Sequence, residues 1–339
     1  MTTEAGDPAA RLTPVVRLAP AKLNLTLAVV GRQRDGFHDL HTVMAPLDLA
    51  DRLSLAVDPS SGASDALRVE GFDPGPAPDN LVLRAVEAAR RAVRGHLGTL
   101  PPGLAIRLEK RIPVAAGLAG GSSDAAAAID GALEAWGAAA ALSPDERTHV
   151  AASVGSDVPF FLAGGPALVE GRGERVTPLH GLRLAPGGER VPGVILVTPA
   201  VAAHTAEVFA AWADGAMGQP GVVRRTSEHF ASEFGSGLTA GQLIERAGVL
   251  ASANDLSVAA AQVVDGLLPF RRALTRLLGR PIGLSGSGPT LWAIYPSLDA
   301  AEAAASAVRA AVGTGFVHAP GDGPPFVAAT TFLPPRSDR

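Results

Sequence analysis

The chain contains no cysteine, which removes disulfides, thiolate catalysis and cysteine-ligated zinc from consideration and leaves its compartment unread from redox chemistry. Positive charge is not in surplus either. With 29 Lys and Arg against 33 Asp and Glu, the formal net charge is −4, so a broad nucleic-acid-binding face is not expected and the expected partner is a small molecule. No run approaches the ~20 apolar residues of a membrane span. The opening Met1-Thr-Thr-Glu-Ala-Gly-Asp-Pro8 has acidic residues where a signal peptide is basic, and it lacks an apolar stretch; a cytoplasmic protein with no membrane partner is expected. Two nucleotide signatures are missing as well. There is no G-x-x-x-x-G-K-[ST], and Gly117-Leu-Ala-Gly120-Gly121-Ser122 does not fit G-x-G-x-x-G, so the chain carries neither a Walker loop nor a Rossmann fingerprint.

What is present is a soluble globular composition, 47% apolar and 18% charged over 339 residues, long enough for two packed domains. The most informative stretch is Arg111-Ile-Pro-Val-Ala-Ala-Gly-Leu-Ala-Gly-Gly-Ser-Ser-Asp124, which runs into the alanines 125–128. Small residues let a backbone approach an anion closely, and the first N–H groups of the following helix point at it. Ser122 and Ser123 suit the helix start as N-caps or as hydroxyl donors to a phosphate. The alternative is a well-capped helix after an ordinary turn.

Strand signals dominate the first 57 residues: Val15 to Leu18, Leu23 to Val29, Thr42 to Leu47 and Arg52 to Val57, an antiparallel sheet by their alternation. Asp79-Asn80 opens a helical pattern, and Leu104 to Leu108 reads as a strand leading to the glycine loop. A helix follows from about Ser122 to Trp136. Ser143-Pro-Asp-Glu146 is a capped start for a helix from Pro144 to Ala152. Proline, glycine and charge gather between Gly181 and Pro192, which sets the expected boundary between domains at 1–187 and 188–339. Beyond it come a strand at Val194 to Val197, a helix from His204 to Trp212 and a polar, weakly periodic surface insertion from about Asp214 to Thr239. A helix from Val258 to Leu278, strands at Ile282 to Leu284 and Leu291 to Tyr295, a helix from Ala300 to Val312 and a strand from Phe326 to Phe332 complete the pattern. Helices on one face of a sheet, an α+β arrangement, are expected in this half.

Four separated elements carry potential chemistry. Lys22 and Asn24 stand in Pro20-Ala-Lys-Leu-Asn-Leu25; the first glycine loop follows; Asp157 stands in Gly155-Ser-Asp-Val-Pro159; and Leu284-Ser-Gly-Ser-Gly-Pro289 forms a second small-residue loop. Each also has a bland reading: a snorkelling lysine, a helix cap or turn former, a tight turn between strands. Together they supply what phosphoryl transfer needs, namely backbone donors, a cation for developing charge and a carboxylate near the attacking hydroxyl.

The order of these motifs resembles the GHMP small-molecule kinases, over nearly the whole chain from about Val15 to Phe332. Pro20-Ala-Lys-Leu-Asn-Leu25 followed by Gly31-Arg-Gln-Arg-Asp-Gly-Phe-His38 is similar to the branch that phosphorylates a cytidine-diphosphate-linked methylerythritol. The resemblance implies a two-domain α+β fold, its N-terminal half ribosomal-protein-S5-like and its C-terminal half ferredoxin-like, with the site between them. It also implies ATP-dependent phosphorylation of the 2-hydroxyl of the methylerythritol, with magnesium as the partner of ATP.

By motif, Asp157 would accept or orient the hydroxyl proton, with Lys22 beside it. Asn24, Phe37, His38, Thr205, Phe209, Ser285, Gly286, Ser287 and Gly288 would face the substrate, His38 reading the cytosine edge. Asn80 and Leu81 would lie near the adenine and Lys110 near the nucleotide. Pro113, Val114, Ala115, Ala116, Gly117, Leu118, Ala119, Gly120, Gly121, Ser122 and Ser123 would surround the phosphates. No protein ligand of magnesium is identified. Asn254-Asp255 matches a family motif and equally fits a helix cap. Ala115-Ala116 would stiffen the loop where many members of that family carry glycine, and Asp124 stands where Asn is common. Within the family, homoserine and mevalonate are the rival substrates; outside it, a metabolite sensor or an RNA-binding protein would share parts of the pattern.

Overall fold

The computed structural model describes residues 13–32, 36, 38–76, 79–183, 191–215 and 221–335. The early strand signals merge into two long antiparallel partners, β1 (Val15–Arg32) and β2 (His38–Val57). Around them β3 (Ala66–Gly71), β4 (Leu104–Lys110), β5 (Ala167–Gly171) and β6 (Arg175–Pro178) complete a six-stranded sheet in the order β3-β4-β2-β5-β6, with β1 on β2. All neighbours are antiparallel except β3 and β4. Register shifts between Pro20 and Lys22 and between Asn24 and Thr26 bracket the Lys22–Asn24 segment, the kind of irregularity that re-aims side chains beside a site.

One face of this sheet is packed by α1 (Leu81–Leu97), α2 (Gly120–Ala135), α3 (Pro144–Val154) and α4 (Val158–Ala163), which share a core with Leu53, Leu55, Ile106 and Leu108. The helix α2 is buried nearly all round, including Ala125 to Ile129, as expected of a helix without a polar face. Its small residues are a packing requirement. A Cβ at Gly131 would lie 2.5 Å from a Leu55 methyl.

The second sheet contains β7 (Gly193–Thr198), β8 (Gly283–Leu284), β9 (Leu291–Tyr295) and β10 (Phe326–Thr331) in the order β10-β7-β9-β8. Its strands alternate between two cores. Ile195, Val197, Leu291 and Ala293 face α5 (Thr205–Ala213), α9 (Ser257–Val263), α10 (Leu267–Leu278) and α11 (Leu298–Gly313). Val194, Leu196, Trp292 and Ile294 face Leu23, Leu25, Val43 and Leu47 of the first sheet. These helices cover one face and the first sheet covers the other, so both faces of the second sheet are buried.

Two expectations are corrected. The stretch read as a surface insertion contains α6 (Val222–Ser236), whose Ser227, Phe230, Ala231 and Phe234 are buried, the three apolar ones in that shared core; residues 216–220 lie outside the described part. The single helix expected over 258–278 is two, α9 and α10, parted at Gly266, which has φ 78°. Two short helices, α7 (Ala240–Glu245) and α8 (Ala247–Ser252), lead from α6 to Asn254. Residues 184–190 of the expected domain boundary lie outside the described residues.

Candidate active site

The two glycine loops meet over β1. The first leaves β4 and reaches α2 through three left-handed residues, Ala115 (φ 52°), Gly117 (φ 73°) and Ala119 (φ 53°). Such turns gather backbone N–H groups on one concave side. Ala119 is the N-cap of α2 and offers no side-chain hydrogen bond, so the first N–H groups of the helix keep their positive field for an anion. Neither serine caps the helix, contrary to one sequence expectation, because α2 starts at Gly120. Ser122 lines the cleft, whereas Ser123 is buried and its hydroxyl has no partner.

Lys22 lies under this loop. Its backbone N–H donates to Leu118 O at 3.1 Å, and its buried ammonium donates to Gly117 O at 2.7 Å and to Asn24 Oδ1 at 2.6 Å. Burial pushes the ammonium below the ordinary lysine range, and Asp157 pulls the other way. The snorkelling reading of Lys22 is excluded, since its charged end is the buried end. Asp157 sits immediately before α4 and makes no capping hydrogen bond; it lines the same cavity as Lys22, so capping does not account for it.

The second loop is a tight turn, with Ser285 N–H donating to Thr290 O and Gly288 N–H to Ser285 O. Gly286 (φ 58°) passes so close that an added Cβ would lie 3.3 Å from Lys22 Nζ, Asn24 Oδ1 and Gly117 O. Ser285 is fully buried, donating its hydroxyl to Gly117 O at 2.9 Å. Ser287 shares a hydrogen bond of 3.0 Å with Thr205 at the start of α5. Asn254 is not the cap of α9, which is Leu256. Its amide nitrogen donates to Leu284 O and Gly286 O at 3.0 and 2.9 Å, while Oδ1 accepts from Leu256 N–H. Asp255 accepts from Val29 N–H, clipping the segment to β1.

The cleft so formed encloses about 510 Å³. It brings together Lys22, Asn24, Asn80, Leu81, Lys110, Pro113 to Gly117, Ala119 to Ser122, Asp157, Thr205, Phe209, Gly286 and Ser287. Leu118, Ser123, Ser285 and Gly288 stand behind the lining. Asn80 caps α1 by accepting from Val82 N–H at 2.9 Å. A second cavity of about 520 Å³ shares Leu40, Thr205 and Phe209 with the first and adds Arg32, Ser156 and His38. There the His38 ring stacks on Phe209, centroids 4.9 Å apart, and meets the edge of Trp212 at 5.4 Å. His38 Nε2 is buried without a partner. Burial, then the charge of Arg32, lowers its pKa below the ordinary histidine range. Phe37 lies outside the described residues.

Lys110 occupies a different setting from Lys22. Its ammonium bonds to Asp51 and, at 2.7 Å, to Asp124, and Asp51 also accepts from the N–H groups of Arg111 and Ile112. All three side chains are buried. Burial pushes the Asp124 carboxyl up to about 7, with Lys110 opposing and Asp51 adding to the rise. Sequence reasoning did not find Asp51; it lies 59 residues from Lys110 and has no local signal. Asp124 therefore turns one oxygen to Lys110, and its Oδ1 has no partner in the protein.

A cleft with a concave run of amide donors at one end, and a desolvated cation and a carboxylate on its wall, has the chemistry of phosphoryl transfer to a small molecule. Residues 80–165 match the family model described as GHMP kinases N terminal domain. The 4-diphosphocytidyl-2-C-methyl-D-erythritol kinase of Pelotomaculum thermopropionicum is 36% identical over 87% of this chain and 94% of its own length. That of Moorella thermoacetica is 34% identical over 86% and 93%. Among solved structures, a 4-(cytidine 5'-diphospho)-2C-methyl-D-erythritol kinase matches with TM-score 0.65 and 31% identity, covering 93% of this chain and 99% of that one. The chain belongs to the GHMP kinases and, within them, to the 4-diphosphocytidyl-2-C-methyl-D-erythritol kinase family.

Proposed function

We propose that this chain transfers the γ-phosphoryl group of ATP to the 2-hydroxyl of 4-diphosphocytidyl-2-C-methyl-D-erythritol. The observation that carries this reading is adjacency: the cleft lined by the glycine loop, Lys22 and Asp157 and the cavity that holds His38 share Leu40, Thr205 and Phe209 in their walls. In it, Asp157 takes the hydroxyl proton as the oxygen attacks the γ-phosphorus in line, and ADP departs. Lys22 supplies a fixed positive charge next to the reacting oxygens, in a place where water does not screen it. The amides of the first loop and of α2 hold the phosphates. The cavity lined by His38 and Phe209 receives the cytosine.

Magnesium neutralises phosphate charge when ATP is bound. Among the described residues no group of three or more His, Asp or Glu side chains could hold a metal ion, and no protein ligand of magnesium is assigned. The chain divides between residues 187 and 188 into an ATP-binding and a C-terminal domain, and it works in the cytoplasm. Among the described residues no helix is long and apolar enough to cross a membrane.

The test is turnover with ATP and magnesium on the cytidine-bearing substrate, beside 2-C-methyl-D-erythritol 4-phosphate, which lacks the cytidine. Turnover is expected only with the former, and Asp157→Asn is expected to lower it by about 10²-fold or more. Equal rates on both substrates would overturn the substrate assignment. An unaffected Asp157→Asn would overturn the role of the carboxylate.

A further inference from the structure

Thr42 is fully buried on β2, and none of the motifs in the sequence includes it. Its hydroxyl donates to Thr26 O at 2.5 Å. A carbonyl oxygen carries no hydrogen, so the single hydroxyl hydrogen of Thr42 is committed there, and only lone pairs remain on Oγ1. Asn24 approaches those lone pairs at 2.8 Å with its amide nitrogen. The amide is thereby prevented from turning over, and its oxygen must face Lys22, whose ammonium it accepts from at 2.6 Å. An amide without such a partner could present either end. Lys22 then has two acceptors, Asn24 Oδ1 and Gly117 O, and one hydrogen left for the cleft that it lines with Asp157.

We infer that Thr42 is a positioning residue for the reaction: through a hydrogen-bond chain of fixed direction, Thr26 O to Thr42 to Asn24 to Lys22, it holds the lysine as an ammonium aimed into the cleft. The inference rests on the proposed phosphoryl transfer for its consequence in catalysis, but the chain of hydrogen bonds is a property of the folded protein. The charged group acting on Lys22 is Asp157, from the turn before α4; Asn24, Gly117 O and Gly286, which also surround it, are neutral.

Thr42→Val keeps the shape and removes the lone pairs. The Asn24 NH₂ then loses its acceptor and the amide is free to swing away from Lys22, which takes one of the two acceptors from the ammonium and disfavours it. Thr42→Ser keeps the hydroxyl and is expected to behave as the natural protein. With Thr42→Val, kcat is expected to fall about tenfold or more while the KM for ATP is unchanged. The alkaline limb of the kcat profile moves to lower pH. The second measurement is the pH dependence of Lys22 acetylation by acetic anhydride, read by mass spectrometry without substrates; its midpoint is expected about one pH unit lower in Thr42→Val.

A variant that only melts earlier, with the labelling midpoint of Lys22 unchanged, would overturn the inference, as would Thr42→Ser behaving like Thr42→Val. Thr42→Ala serves the same purpose should the valine variant not fold. If the natural protein fails to phosphorylate the cytidine-bearing substrate but the midpoint shifts, the positioning role stands and the substrate reading falls. Turnover by the natural protein without a shift in the variant overturns the positioning role and leaves the substrate reading in place.

Discussion

The Ser285 hydroxyl donates to the carbonyl oxygen of Gly117 at 2.9 Å, so the two glycine loops, one from each half of the chain, are fastened backbone to side chain over Lys22. The approach leaves no room for a side chain at 117, where a Cβ would lie 2.2 Å from Ser285 O and where φ is 73°. Gly117→Ala is expected to separate the loops and misplace an acceptor of Lys22. Turnover should drop more than about 10²-fold, the scale of a small misplacement at a reacting centre. Stability should fall by about 1–3 kcal/mol from the strained backbone alone. Steady-state kinetics and urea unfolding of the variant decide it; unchanged kinetics would show that the loops need not touch.

The left-handed alanines offer the opposite experiment. Ala115 has φ 52°, a conformation that costs an L-residue about 1–2 kcal/mol, while glycine there gives back about 0.5–1 kcal/mol through the entropy of the unfolded chain. Ala115→Gly is therefore expected to be neutral or stabilising by up to about 1 kcal/mol. A clear loss in the urea midpoint would mean that the methyl group makes contacts worth more than the strain.

The buried Asp51, Lys110 and Asp124 cluster predicts a pH dependence. The Asp124 pKa is raised from 3.8 to about 7, so the folded protein binds this proton more tightly than the unfolded chain does. Its contribution to stability is complete below 3.8 and is lost as pH rises through about 7. Asp124→Asn removes the titration, and the fall in stability between acid and neutral pH should be shallower than in the natural protein. Chemical unfolding of both proteins at several pH values measures this; parallel curves would refute it. Asp51→Ala, which leaves a buried ammonium short of its fully buried partner and strips two backbone N–H groups of an acceptor, is expected to cost about 3–5 kcal/mol.

His38 titrates below the ordinary histidine range because it is partly buried and faces the charge of Arg32. The imidazole is thus neutral at neutral pH. Affinity for the cytidine-bearing substrate should stay level there and weaken only below about pH 6.5, as the ring protonates. His38→Ala should raise the KM for that substrate by about tenfold, the worth of a hydrogen bond and a stacked ring, and leave the KM for ATP alone. A rise in both would place His38 in general folding of the cleft.

Ser143 provides a control far from the chemistry. Its hydroxyl accepts from Glu146 N–H, and Glu146 reaches back to Ser143 N–H at 2.8 Å. Ser143→Ala is expected to lower stability by about 1 kcal/mol with turnover unchanged, as measured by thermal unfolding and the kinase assay together.

That capping box was legible because everything it needs lies within four consecutive residues. The same holds for the start of α1 at Asn80, for the strand segments within β1 and β2, and for the glycine loop, whose small residues announce a close approach whatever surrounds them. The order of the motifs identified the family for the same reason, since it is a property of the chain alone. Local pattern failed where packing decided. The helix α6 buries Phe230, Ala231 and Phe234 on one face of a largely polar sequence, and it becomes core because it packs on β1 and β2. The break at Gly266 was missed because the apolar positions on either side continue one helical pattern.

The sequence by itself determined that this is a glycine-loop kinase of the GHMP type, with Lys22, Asp157 and His38 among its candidate working groups. Tertiary structure alone decided which lysine has a carbonyl and an amide oxygen as acceptors and which is paired with two carboxylates. It also decided that Thr42 sets the direction of the Asn24 amide and that Ser285 ties one loop to the other. These relations join residues between 14 and 168 positions apart. The protonation and hydrogen-bond direction of a buried polar group depend on what the fold brings within about 3 Å of it, and no local stretch of chain contains that information.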